Sequence, residues 1–434
     1  MPMEARRTGP GGDKRATIML HETPLRKRHE EYIRQMSAGG PAPEVAAQRP
    51  GAAVGRGEAL AEVPYVPYRP PGDERSTACE LPATFGEVEA EYAAIRRGAG
   101  LMDSPHRGTL RLTGEERLDF LNRMVTQELK DLVPGGAREA FWLNRKGRIE
   151  ADLLLIELGD ELLVDVDICQ AARTIQTLGE FIFTEDVQII DCSGDYHHIA
   201  VHGKAAQQVI ANATGEGAFA LPPLAAKHAH INGVDAVIVR RGQTGDMGLE
   251  LIVPYDRAET VWDALLKTDE SIGGGRRRVR PIGWYAYNIA RIEAGTPLMN
   301  IDFGVTNLPH ETGIIERRIS FAKGCFLGQE IVARIESQGQ PRQRLVGLSM
   351  QGEELPIAGA TIYEKAGSGT GEPVGIVTSS TISPMLGARP IAFAVISAAA
   401  AQEGAAVLAG AEGELAEAII GPLRFWPPPP DESG

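Results

Sequence analysis

Lys323-Gly324-Cys325-Phe326-Leu327-Gly328-Gln329-Glu330-Ile331-Val332-Ala333-Arg334-Ile335 is the stretch around which the rest of the chain is read. Two glycines bracket one cysteine, a lysine precedes it, and an amide and a carboxylate follow. From Gln329 the apolar residues Ile331, Val332 and Ile335 fall at the spacing of one helix face. The reading is a glycine-hinged loop that delivers Cys325 just ahead of a helix N-terminus. The helix dipole and the ammonium of Lys323 both favour thiolate at such a position. Cys325 also reads as a small buried hydrophobe, and residue type alone leaves both readings open.

Outward from this block, the chain has 434 residues, 43% of them hydrophobic, with 50 glycines and 29 prolines. That is room for several domains and a sizeable core, with many turns. The net charge of -14 argues against a broad nucleic-acid footprint. Cys79, Cys169, Cys192 and Cys325 lie far apart with no C-x-x-C pair, which fits a reducing cytoplasm and neither a zinc ribbon nor a disulfide framework. No apolar run reaches the roughly 18 residues a membrane helix needs, and the start leads into no signal-like apolar segment.

Residues 1–84 read as an N-terminal arm, largely irregular or disordered. It contains a short helix over 22–37, capped by Thr23, and an extended Val63–Tyr68 segment. Helices are expected over 86–98, after a cap at Thr113, and near 171–181, 204–214 and 257–266. A hairpin is expected from Arg138 to Leu158, turning at Asn144-Arg145-Lys146-Gly147, where Asn and Gly supply positive-φ backbone. Strands are expected at 109–113, 162–167, 186–191, 197–202, 234–240 and 250–253. This alternation with hairpins indicates α+β over 85–341. After Arg342 five short strands separated by Gly/Pro turns (345–350, 361–364, 374–378, 391–396, 405–408) indicate a small antiparallel barrel over 342–426. A disordered tail is expected over 427–434.

Other stretches carry chemistry. Arg241 to Gly248 is a Gly-rich turn leading into a strand with Glu250 among Leu249, Leu251, Ile252 and Val253. A carboxylate in an apolar strand needs a hydrogen-bond partner, or else faces solvent. A pterin-like ring, with adjacent ring N–H and amino donors, is one such partner. The turn is not a phosphate loop, because no lysine and hydroxyl follow its glycines. The Asn144–Arg148 tip reads either as a basic turn that meets an anionic ligand tail or as a solvated turn, and the Arg276-Arg277-Arg278/Arg280 run reads as a solvated basic loop. His197, His198 and His202 lack partners at ligand spacing, so no metal is expected. Arg291 to Gly295 closes a helix beginning near Pro281, and no nucleophile elbow or dinucleotide fingerprint is present.

Several of these stretches together resemble the folate-binding aminomethyltransferase (glycine-cleavage T-protein) superfamily. They are Asp119-Phe120-Leu121-Asn122 with Thr126, Leu143-Asn144 with Gly147, Thr244-Gly245 with Gly248 and Glu250, Arg291 to Gly295, and Ser383 to Gly387. They stand in the family's order and cover roughly residues 85–426. The Lys323-Gly324-Cys325-x-x-Gly328-Gln329-Glu330 block is similar to the signature of the YgfZ-type tetrahydrofolate-binding proteins, which support iron–sulfur enzymes. The resemblance implies a three-lobed fold around a folate channel: two interwoven α+β lobes and the C-terminal barrel. It implies Glu250 on the pterin and Asn144, Arg291, Gln329, Glu330 and Arg334 as further cofactor-binding residues. It implies Cys325 at the channel, with Lys323 holding its thiolate. Where the T-protein carries two aspartates, the first near the reacting folate nitrogen, this chain has Ala151-Asp152. It also has Tyr287 in place of an arginine. The function so implied is tetrahydrofolate binding in support of iron–sulfur enzymes in the cytoplasm. The alternatives are a folate-dependent aminomethyl- or methyltransferase using Asp152 or another acid, and an interaction scaffold with a vestigial channel.

Overall fold

The computed structural model describes residues 21–38, 62–69, 78–269, 278–367 and 369–426. The expectations for 1–17, for most of 38–75, for Arg276 and Arg277 and for 427–434 lie outside the described residues. Of the N-terminal arm, helix α1 (Arg26–Ala38) and strands β1 (Tyr65–Tyr68) and β2 (Cys79–Pro82) are formed. α1 starts later than the sequence suggests. The Thr23 hydroxyl accepts from the Leu25 N–H but donates to Asp103, 80 residues on. Leu25 and His29 are fully buried, so α1 is docked on the body of the molecule.

Helix α2 (Val88–Arg97) and strand β3 (Ala99–Asp103) follow. The first large sheet is built from β4 (Arg107–Thr113), β5 (Ala137–Leu143), β6 (Ile149–Glu157), β7 (Leu162–Asp167) and β8 (Gln188–Asp191), in the order β5-β6-β7-β4-β8. Helices α3 (Arg117–Met124) and α4 (Ile168–Gly179) cover its outer face. Thr113 does not cap α3. It stays in β4, and Glu116 occupies the N-cap position. The second sheet joins β3 to β9 (Tyr196–His202), β10 (Ala226–Ile231), β11 (Val234–Arg240), β12 (Gly248–Pro254) and β13 (Val279–Ile282), in the order β10-β11-β12-β9-β3-β13. Helices α5 (Ala206–Thr214) and α6 (Ala258–Lys267) pack on its outer side.

The two-residue period of β6 sets the relation between the sheets. Ala151, Leu153 and Leu155 point outward into the core beneath α3 and α4. Leu154 and Ile156 point inward and pack with Val237, Val239 and Ile252 of the second sheet. The sheets therefore meet through an apolar seam. Further along the same inner faces the seam gives way to polar side chains, and there the cavity opens.

Helix α7 (Trp284–Glu293) begins after Pro281, which belongs to β13. Two further helices, α8 (Ile315–Arg318) and α9 (Gln329–Gln338), lead to the barrel. The barrel is closed and has six strands rather than five: β14 (Gln343–Met350), β15 (Thr361–Ala366), β16 (Gly369–Ser383), β17 (Arg389–Ser397), β18 (Ala406–Ala411) and β19 (Glu414–Gly421), in the order β14-β17-β16-β15-β18-β19. β16 is far longer than its apolar run because Ser379, Thr381 and Ser383 are buried at alternate positions. β19 closes the ring with small alternating residues, Ala416 and Ala418, that carry little strand signal.

Candidate functional site

The cavity lies between the inner faces of the two sheets, with an empty space of about 920 Å³ counted to its open mouth. The first sheet contributes Arg107, Glu139, Asp152 and Asp167. The second contributes His198, Ala200, His202 and Glu250. The Gly-rich turn adds Arg241, Gly242 and Gln243, α7 adds Tyr287, and α8 with its flank adds Arg317 and Arg318.

Three buried guanidiniums meet four carboxylates here. Arg107 Nε donates to Asp165 Oδ1 at 2.7 Å. Arg241 Nε donates to Glu139 Oε1 at 2.8 Å, and its Nη1 to Asp165 Oδ2 at 3.3 Å. Arg318 grips Asp152 with two donors, at 2.6 and 3.2 Å, and also binds Glu139. Glu250 faces Asp165, and its guanidinium contact is a long one, 3.7 Å, to Arg241. One negative charge is therefore in excess among these buried groups, and proximity decides which carboxylate gives it up. Burial would raise Asp165, yet Arg107, His198 and Arg241 pull it down to about 2. Burial likewise opposes ionisation of Glu139, which Arg318 and Arg241 hold at about 2. Burial pushes Glu250 up to about 7, Arg241 only partly offsets it, and the neighbouring Asp165 pushes the same way.

Of the nine residues singled out in the sequence, Glu250 and Asp152 line the cavity and seven do not. Cys325 is exposed, on the loop before α9. It does not line the cavity. Phe326 beside it is buried in a cluster with Phe141, Phe303 and Met299, and of these Met299 lines the cavity. Cys325 stands three residues before the α9 N-cap, Gly328. Lys323 does not hold the thiol. Its Nζ donates to the carbonyls of Asn122, Val125 and Gln127 at 2.7, 2.8 and 2.7 Å, which uses all three ammonium donors. Gln329 Oε1 accepts from the Phe326 N–H at 3.3 Å. Glu330 and Arg334 lie exposed on α9.

Asn144 folds its own hairpin: Oδ1 accepts from the Lys146 and Arg148 N–H groups and Nδ2 donates to Glu150. Its tip is locked against the Cys325 loop. An added Cβ on Gly328, at φ +81°, would sit 2.8 Å from the Asn144 carbonyl oxygen. Arg291 is fully buried and tied to Asn288, Asp302 and Ser379, which joins α7 to the barrel instead of facing ligand.

Ala151 is fully buried opposite Trp142 in the outer core. Asp152 is the member of the pair that faces inward. Sequence reasoning missed Arg107, Glu139, Asp165 and Arg318, quoted Arg241 only as part of a turn, and weighed His202 only as a metal ligand. Asp165 carried the same signal as Glu250, a carboxylate inside an apolar strand.

Comparison with known proteins places this geometry. The GCVT N-terminal domain model matches residues 72–323, and the glycine cleavage T-protein C-terminal barrel domain model matches residues 343–426. An aminomethyltransferase of Geobacillus kaustophilus is 30% identical over 349 residues, 80% of this chain and 92% of that protein. One of Streptomyces coelicolor is 31% identical over 329 residues, 75% of this chain and 85% of that protein. The crystal structure of glycine cleavage system aminomethyltransferase T from Bartonella henselae superposes with a TM-score of 0.71 at 25% identity, covering 80% of this chain and 92% of that one. Among the described residues, no helix is long and apolar enough to cross a membrane.

Proposed function

The chain belongs to the glycine-cleavage T-protein family, and on that premise we propose that it binds tetrahydrofolate, or a one-carbon derivative, with the pterin ring held by Glu250. The observation that carries this reading is the electrostatics of Glu250. It is buried at the cavity wall, and of the four clustered carboxylates it is the one without a close guanidinium. A ring presenting adjacent N–H and amino donors would replace the missing partner and favour the ionised form. The test is a calorimetric titration with tetrahydrofolate, wild type beside Glu250→Ala. Loss of a buried charged hydrogen bond should weaken binding roughly ten- to over a hundredfold. Equal binding by the two proteins would contradict the assignment.

The finer reading is a YgfZ-type role, in which the folate-loaded protein supports iron–sulfur enzymes in the cytoplasm. The Lys323 to Glu330 block supports it, and so does the exposure of Cys325 on a loop pinned from below by Lys323. In this reading the thiol serves a partner at the surface, not a reaction in the cavity. Cys325→Ser should then leave tetrahydrofolate affinity unchanged and fail to restore iron–sulfur enzyme activity in cells lacking the protein. Full restoration would remove the thiol from the role.

A second reading is one-carbon transfer between a small donor and tetrahydrofolate. It is favoured by the inward-facing Asp152, held by Arg318 in one orientation. A carboxylate so fixed can orient or accept a proton from a reacting amine. Turnover of an aminomethyl or methyl donor that Asp152→Asn abolishes would establish it. No product across a broad donor panel would set it aside.

A further inference from the structure

The cavity holds a polar ring, His202, for which the ion-pair network has no use. His202 ends β9, is 1% exposed and lines the cavity. Among the described residues neither of its ring nitrogens has a hydrogen-bond partner. The neighbouring histidines differ: His197 binds Asp103 at 2.7 Å and His198 binds Thr109 at 2.8 Å. Buried side-chain polar atoms are rarely left unpaired, and two on one ring ask for an explanation. Burial alone lowers the His202 pKa to about 4, so at neutral pH the imidazole is uncharged, with one N–H donor and one acceptor.

Its surroundings hold it still. The ring lies against Tyr287, with centroids 5.4 Å apart and planes 34° apart. The Tyr287 hydroxyl donates to Gln243 Oε1 at 2.7 Å. The register between β9 and β12 pairs Ala200 with Glu250 and His202 with Gly248. His202 and Glu250 are therefore diagonal neighbours on one face, a relation that spaces Cα atoms by roughly 7–8 Å. The two other members of that four-residue patch, Ala200 and Gly248, have almost no side chain. Ala200 lines the cavity, so space opens over it between the carboxylate and the imidazole, while the Arg241–Gly242 backbone covers Gly248.

We propose that His202 is a second ring-binding residue, supplying one hydrogen-bond donor and one acceptor to a heteroaromatic ligand whose other polar edge Glu250 holds. The inference rests on the folate reading of the cavity. Tyr287 acts through it, as the residue that fixes the imidazole plane.

The test titrates tetrahydrofolate into wild type, His202→Phe, His202→Asn and Glu250→Ala. His202→Phe keeps the ring's bulk and removes its polar atoms; binding should fall about tenfold or more. His202→Asn, which keeps a donor and an acceptor, should stay within about threefold of wild type. The melting temperature of unliganded His202→Phe should equal or exceed that of wild type, since no bond made within the protein is lost. A residue needed only for structure would lower it. If His202→Phe binds like wild type while Glu250→Ala does not, this inference falls and the folate reading stands. If wild type does not bind, both fall. Should His202→Phe fail to fold, ¹⁵N-histidine spectra of wild type decide. The His202 ring signals, identified by their loss in His202→Asn, should move on adding tetrahydrofolate, and an unmoved ring overturns the proposal.

Discussion

Replacing Glu250 with glutamine should stabilise the unliganded protein while weakening ligand binding, and the stabilisation should grow with pH. The buried carboxyl titrates near 7 in the folded protein against an ordinary value of 4.5. Because the folded value is raised, the neutral acid is tolerated at low pH, and stability is lost as pH rises through about 7. Linkage gives the cost relative to a group that never ionises: under about 1 kcal/mol at pH 5, roughly 2 at pH 6 and roughly 3 at pH 8. Glutamine keeps the size, an acceptor toward Arg241 and a donor toward Asp165, so few other terms change. The assay is denaturant unfolding followed by tryptophan fluorescence at the three pH values, with the variant's midpoint gain compared across them. A gain independent of pH, or a variant less stable than wild type at pH 8, would refute the claim that Glu250 carries the excess charge of the cluster.

Other expectations follow from the same packing. Gly328→Ala must place a Cβ at φ +81° and 2.8 Å from the Asn144 carbonyl, so it should cost about 1–3 kcal/mol in unfolding experiments. Gly324→Ala in the same loop meets nothing within 4 Å and should be close to neutral. Arg291→Ala leaves Asp302 buried and uncompensated, which should cost about 3–5 kcal/mol. Because Arg291 joins α7 to β16, the barrel should become the first part released by limited proteolysis. Native thiol titration with a chromogenic disulfide should show one fast group, lost in Cys325→Ser, because Cys79 and Cys192 are buried and burial beside Asp167 pushes the half-buried Cys169 thiol up. Fast reaction persisting in that variant would mean the loop is not the exposed one.

Much of the architecture was legible because turns and alternation are local. Asn144 to Gly147 fixed the β5–β6 hairpin, and the Gly/Pro turns after Arg342 announced the barrel. β19 escaped because Ala416 and Ala418 pack well without being strongly apolar. The site was legible only in part. Glu250 was found as a carboxylate in an apolar strand, and the same argument applied to Leu162–Val166 would have found Asp165. Arg107 and Arg318 could not be found this way, since each meets its partner across tens of residues of chain. The orientation of Ala151 and Asp152 was within reach: Leu153 and Leu155 share the face of residue 151, and that face had to be the core. Cys325 drew attention because its motif is conspicuous, but a motif carries no information about which side of the Phe326 cluster its thiol occupies. His202 was weighed only as one of three histidines without metal-ligand partners; the register that sets it diagonal to Glu250 reveals its place in the cavity.

The most direct measurement is the number of protons released when tetrahydrofolate binds, obtained by calorimetry at pH 6.5 in two buffers of different ionisation enthalpy. If the ring's donors bind ionised Glu250, binding should release roughly three quarters of a proton at that pH, and almost none at pH 8.5 or in Glu250→Gln. Binding with no proton release at pH 6.5, or the same release in Glu250→Gln, would contradict the assignment of the pterin to Glu250.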